Sequence, residues 1–250
     1  MTGQPPRIHN EIYPFLHLSK FRNSLKGQVV LITGALGTIA GAVAESFTTA
    51  GASLFLSDIR ASLADSTKER LLHLGADAVH YSRCDIGNPK DCKELVKQAT
   101  STVGEVNVLI NGAIQAEVDK VVPSSDIHLY AIHPGAVRSG MSTADGQQDT
   151  ALKEFPEVTS RFAEWKKKFT GSPHLVGMSC VALATGIAKD ALKGRYYDVE
   201  QDLEDVIDQA PLLKADSLLH TLHISMLGSM EREEGAMSRE PEESFDFPGF

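Results

Sequence analysis

The chain has 250 residues, 42% of them hydrophobic and 23% charged, which suits a single domain around one sizeable core. Its net charge of -9 disfavours nucleic acid and anionic membranes as main partners. Cys84, Cys92 and Cys180 form no CxxC pair and leave an odd count, the pattern of a reducing compartment. The first residues lack a basic stretch followed by an apolar one, and the longest apolar run, from Val29 to Ala44, is interrupted by Gly and Thr, too short for a spanning helix. A cytoplasmic α/β protein is expected.

Residues 1–24 read as an extended N-terminal arm, because Pro5, Pro6 and Pro14 break helices. Tyr13, Phe15, Leu16 and Phe21 give it apolar side chains with which to pack back on the domain. A central feature follows at QVVLITGALGTIAG, residues 28–41. Val29 to Thr33 is an unbroken apolar, β-branched run, as in a parallel strand buried on both faces. Gly34 to Ala40 is then a tight turn opening into a helix, with Gly51 as that helix's natural stop. Such a turn aims amide N–H groups and the positive helix end at a phosphate. The other reading is a strand–turn–helix whose glycines serve only packing.

Ser53 to Leu56 is a second apolar strand reaching Asp58, about twenty residues past the turn, where an acid can accept hydrogen bonds from ribose hydroxyls. Asp58 could equally cap a helix starting near Ala61. That helix is expected to run to Leu74, with Gly75 ending it. A third strand covers Ala78 to Tyr81. Beyond it, Asp85 can bond an adenine amino group or cap the coming turn. A helix from Pro89 to Val103 leads to a fourth strand, Val106 to Asn111, and to the small pair Gly112-Ala113, past which a cofactor can run close to the backbone.

These pieces resemble the classical short-chain dehydrogenase/reductases, in particular a fungal branch with an N-terminal arm. The matching segments are TGALGTIA, SDIR, CDIG and LINGA, followed by HPGAVRS and GRYYDVEQDLE. The resemblance implies an α/β doubly wound, Rossmann-like parallel sheet and NAD or NADP as cofactor. It places Thr33, Gly34, Gly37, Ile39, Asp58, Asp85, Asn111, Pro134, Val137 and Ser139 around the cofactor. Asp58 favours the free 2′-hydroxyl of NAD, while Arg60 can accommodate the 2′-phosphate of NADP.

One interruption separates the chain from that family pattern. Only residues 112–126 lie between the fourth strand and the one opening at Ile127. Family members place two helices and a further strand there, carrying a serine and a Tyr-x-x-x-Lys pair. About a dozen residues suffice for a crossover but not for all of that. Tyr13, Tyr81, Tyr130, Tyr196 and Tyr197 are followed four places on by His17, Asp85, Pro134, Glu200 and Gln201, so no Tyr-x-x-x-Lys is present. The expected sheet therefore lacks one central strand with its flanking helices. The strand from Ile127 either fills the slot beside the fourth strand or leaves a gap.

The phosphate turn departs from the family too. Thr38 and Ala40 stand where TGxxxGxG has glycines, whereas in the TGxxGxxG spacing only Ala40 differs, and alanine is allowed there. Ile127 to Ile132 leads to His133-Pro134-Gly135, a strand end where ligands sit in open α/β sheets. His133 there is a candidate base or a histidine packed against proline. Residues 140–172 resemble a substrate-covering region, with Met141, Phe155, Phe162 and Trp165 as contacts, or else form a plain amphipathic helix. Ser172-Pro173 starts a core helix, Gly194 to Asp198 is an edge strand, and Leu203 to Leu227 is mostly helical. Residues 231–250 are charged and Pro-containing, the composition of a disordered acidic tail.

A hydrolase elbow finds no match, since Gly177-Met178-Ser179-Cys180-Val181 lacks the closing glycine and falls in a helix. His220 and His223 lack acidic or cysteine company for a metal. The resulting expectation is a short-chain dehydrogenase/reductase-like oxidoreductase that acts on a small carbonyl or alcohol, in fungal secondary metabolism, without the standard catalytic residues. The alternative is a non-catalytic dinucleotide-binding or truncated relative. Because the family's dimer helices are among the missing pieces, oligomerisation by that route is not expected.

Overall fold

The computed structural model describes residues 3–111, 127–137, 160, 164 and 167–221. Four parallel strands form the first sheet: β1 (Val29–Thr33), β2 (Ser53–Asp58), β3 (Val79–Arg83) and β4 (Val108–Ile110). Their order is β3-β2-β1-β4. A second, parallel pair consists of β5 (Tyr130–His133) and β6 (Arg195–Asp198). Among the described residues β5 pairs with β6 and not with β4. Of the two arrangements expected for this strand, the interrupted ladder is the one found.

The helices follow from local sequence. In α2 (Thr38–Thr49), Ala42, Val43, Ala44 and Phe47 are buried, and Gly51 turns the chain back in the left-handed region at φ +81°. The next helix, α3 (Asp65–Leu74), begins four residues later than expected from Ala61 and ends at Gly75. Asn88 caps α4 (Pro89–Val103) by accepting from the Lys90 amide, and Pro89 stands in its first turn, where a missing N–H costs nothing. The core helix α5 (Pro173–Ala184) is buried nearly all round. After it come α6 (Lys189–Leu192), α7 (Leu203–Asp208) and α8 (Ala210–Ala215). The helical stretch expected from Leu203 is thus divided at Gln209, just before Pro211.

One face of both sheets shares a single core. Val30, Ile32, Leu54 and Leu56 of the first sheet and Tyr197 of the second meet Phe47 of α2 and Leu175 and Val181 of α5. At Gly177 the two helices touch so closely that a Cβ would lie 2.1 Å from Ser46 Oγ and 2.8 Å from the Ala42 carbonyl. On the opposite face α4 covers Leu31 and Phe55 with Leu95 and Ala99. That cover does not extend across β4: Leu109 is 58% exposed, although its register neighbour Leu31 is 5% exposed.

The N-terminal arm does pack back, through Tyr13, Leu16 and Phe21. It also contains a short 3-10 turn (Pro14–Leu16) and α1 (Leu18–Phe21), so Pro14 opens a helical turn rather than breaking one. The Tyr13 hydroxyl accepts from the Leu203 amide at 2.6 Å, and burial pushes its pKa up to about 12. Asp202 caps α7 by accepting from the Glu204 and Asp205 amides. The same carboxylate lies 2.8 Å from His9 Nε2 and 3.2 Å from Arg7 Nη2, and Arg7 also bonds Asp205. No helix among the described residues is long and apolar enough to cross a membrane.

Candidate functional site

The turn after β1 is an open cradle. Gly34 sits at φ +66°, and a Cβ built there meets no heavy atom within 4 Å. A side chain would therefore project into free space above the turn, at an added backbone cost of about 1–2 kcal/mol. At Gly37 the constraint is internal: a Cβ would lie 3.3 Å from the Gly34 carbonyl, to which the Gly37 amide donates at 3.0 Å. The Ala35 amide donates to the Ser57 carbonyl, tying the turn to β2. Since α2 starts at Thr38, the amides of Thr38, Ile39 and Ala40 have no helical carbonyl four residues back. Such amides and the positive helix end suit an anion.

Asp58 braces this cradle. It is 7% exposed. Its Oδ2 accepts from the Leu36 amide and its Oδ1 from the Arg60 amide, each at 3.1 Å. The Arg60 guanidinium reaches back to donate to the Leu36 carbonyl at 2.9 Å and lies 3.7 Å from Asp58 Oδ1. The Tyr81 hydroxyl holds the Arg60 carbonyl at 2.6 Å, and burial, then the Asp58 charge, raises its pKa. Helix capping does not explain Asp58, because the N-cap of α3 is Ala64. Instead, the acid at the end of β2 is wired into the glycine turn.

The remaining candidates divide by place. Thr33 Oγ1 donates to Asn111 Oδ1 at 3.3 Å, joining the ends of β1 and β4. Ile39 is half-buried and packs on the core behind the turn. Asp85 accepts from the Gly87 amide at 2.9 Å, the turn-capping role weighed against adenine recognition. Pro134 and Val137 belong to the second sheet's end. Val137 is buried, bridges to Gly171, and its amide donates to the Gly135 carbonyl. Ser139, Gly112, Ala113, the tail at 231–250 and the covering residues Met141, Phe155, Phe162 and Trp165 lie outside the described residues.

Sequence reasoning missed two acids at the second sheet's end. Register sets His133 opposite Asp198, with Nδ1 3.5 Å from Asp198 Oδ2 and 3.3 Å from the Gly135 amide. Glu200 accepts from the Ala136 amide at 3.2 Å, holding the Pro134–Ala136 turn. Only strand pairing brings these residues together, since 64 positions separate Ala136 from Glu200. Ser179 of the rejected hydrolase elbow is fully buried in α5. His220 Nδ1 lies 3.0 Å from the Tyr196 carbonyl.

Residues 28–128 match the family model described as short chain dehydrogenase. The 7alpha-hydroxysteroid dehydrogenase of Escherichia coli (strain K12) is 38% identical over 89 residues, covering 36% of this chain and 34% of that protein. Epidermal retinol dehydrogenase 2 of Mus musculus is 34% identical over 96 residues, covering 38% and 31%. The chain thus aligns with about a third of the length of these curated relatives. Among solved structures, the hydroxysteroid dehydrogenase from Escherichia coli superposes with a TM-score of 0.52 at 20% identity, covering 73% of this chain and 98% of that one. A short-chain dehydrogenase/reductase structure from Burkholderia xenovorans gives 0.55 at 16% identity, with 72% and 98% covered. The fold is accordingly α/β and Rossmann-like, consistent with NAD or NADP as cofactor. Over residues 28–128 the chain is thus similar to the short-chain dehydrogenases.

Proposed function

We propose that the chain is an NAD(P)-dependent oxidoreductase of short-chain dehydrogenase/reductase type that acts on a small carbonyl or alcohol without the family's Tyr-x-x-x-Lys pair. The carrying observation is the bond from the Leu36 amide to the buried Asp58 carboxylate, which locks the phosphate turn to the ribose-binding acid. The residues present fit a dinucleotide. The space over Gly34 suits the pyrophosphate, the first α2 amides would hydrogen-bond it, Asp58 would hold the adenosine ribose, and Thr33 with Asn111 would line the path toward the nicotinamide. When bound, the cofactor would supply or accept a hydride. Asp58 favours NAD over NADP, because a buried carboxylate repels a 2′-phosphate, and Arg60 is already held by the Leu36 carbonyl.

A fungal secondary-metabolite setting, a cytoplasmic location, a small-molecule substrate, and an organisation of arm (1–24), domain (25–230) and acidic tail (231–250) belong to the same reading. Titration calorimetry with NAD and NADP tests it. NAD should bind in the micromolar range and more tightly than NADP, and Asp58→Ala should weaken NAD at least tenfold. Failure of both nucleotides to bind would remove the proposal. A second reading, a dinucleotide-binding protein without turnover, is favoured by the lack of any Tyr-x-x-x-Lys. It predicts the same binding with no change in nicotinamide absorbance.

A further inference from the structure

A protein that reduces a carbonyl must also protonate the oxygen it creates, and the usual tyrosine is not available here. Candidates must lie beyond the carboxyl ends of the strands, where open α/β sheets hold their ligands. Thr33 and Asp58 end β1 and β2, Asn111 follows β4, and His133 ends β5. Of these, His133 has the chemistry for proton transfer near neutral pH.

Strand alternation fixes which way it faces. Tyr130 and Ile132 pack on the shared core, as does Tyr197 across the ladder. His133, with Asp198 beside it in register, therefore faces the opposite side. There the ring lies 6.3 Å from that of Tyr196, and its side chain is 49% exposed. Nδ1 has two neighbours, the Asp198 carboxylate at 3.5 Å and the Gly135 amide at 3.3 Å. The second oxygen of Asp198 is fixed by the Glu200 amide at 3.0 Å. Among the described residues Nε2 has no partner.

We propose that His133 is the proton donor of this protein and that Asp198 is its positioning residue. The proposal rests on the dinucleotide reading above. In the imidazolium, Nδ1–H donates to Asp198 and Nε2–H points outward. As a hydride reaches the substrate's carbonyl carbon, the C=O π pair moves to oxygen, and that oxygen takes the Nε2 proton. Neutral imidazole remains, with its one proton on Nδ1 toward Asp198, and solvent restores the Nε2 proton at the exposed edge. The charge and hydrogen count close on one carbonyl, one hydride and one proton. The charged and titratable groups facing the ring are Asp198 from β6, Tyr196 beside it and Glu200 just beyond.

The test uses the full chain and two readouts. Carbethoxylation by diethyl pyrocarbonate, followed at each histidine by mass spectrometry, should slow at least fivefold at His133 when NAD is saturating, while exposed His73 is unaffected. With diacetyl and NADH, His133→Ala should lose about 10²–10⁴-fold in turnover, keep its NADH affinity, and recover in part with added imidazole. Asp198→Asn should lose less, with the loss in kcat while KM stays within twofold of the parent, as expected when only the orientation of the ring is relaxed. His133 labelling indifferent to bound NAD, no turnover by the cofactor-bound parent, or His133→Ala within twofold of it would each overturn the proposal. Absence of NAD and NADP binding would instead remove the dinucleotide reading beneath it.

Discussion

The two sheets differ in how many faces they cover. In the first, β1 and β2 are enclosed by α2 and α5 on one side and α4 on the other, so Leu31 and Phe55 are as buried as Ile32 and Leu54. At β4 and across the second sheet, among the described residues, only the α2–α5 side carries the shared core. Leu109 and His133 lie on the other side, both substantially exposed. Stability therefore resides mainly in the shared core. Chemistry has room on the open side.

The comparison breaks most directly at Phe47, fully buried where α2 serves both sheets. Phe47→Ala should cost about 3–5 kcal/mol, read as a loss of denaturant midpoint at unchanged slope. Leu31→Ala, in the two-sided region, should cost about 2–5 kcal/mol by the same measurement. At the joint between the sheets, Gly177→Val drives a side chain into Ser46 and the Ala42 carbonyl. About 1–3 kcal/mol is expected there from overpacking, with both sheets affected together in hydrogen exchange.

A smaller effect concerns acid. Arg70, then His174, hold the Glu45 carboxyl below its ordinary value. A carboxylate depressed in the folded state stabilises above its unfolded pKa and loses that contribution as pH falls through the folded one. Melting temperature should therefore drop on the acid side of pH 4.5, and Arg70→Ala should make that drop shallower. The smallest effect belongs to Leu109→Ala, expected within about 0.5 kcal/mol of the parent. A loss as large as that at Leu31 would refute the open-face description of β4.

The first sheet was legible because its cues are local. A continuous apolar run gave β1, glycine spacing gave the turn, and α4 runs over the expected Pro89 to Val103. Asp58 stands at the end of β2 as expected, but its bond to Leu36 depends on the backbone path of the turn, which no spacing encodes. The second sheet was less readable. The strand expected from Ile127 begins at Tyr130, and the His133–Asp198 pairing joins residues linked only by register. Ala61 to Ala64 lacked a decisive stop or start, so α3 was expected too early.

The interrupted ladder changes what sets distances in this molecule. In a continuous sheet, repeated backbone bonds fix one strand end relative to the next with crystalline regularity. Here, among the described residues, the two sheets meet through a shared core in which two helices nest at Gly177, a contact of bare backbone against a serine. A small tilt of that pair would lengthen or shorten the reach between the glycine turn and the imidazole, making Gly177 and Ser46 a gauge block between the two sheets.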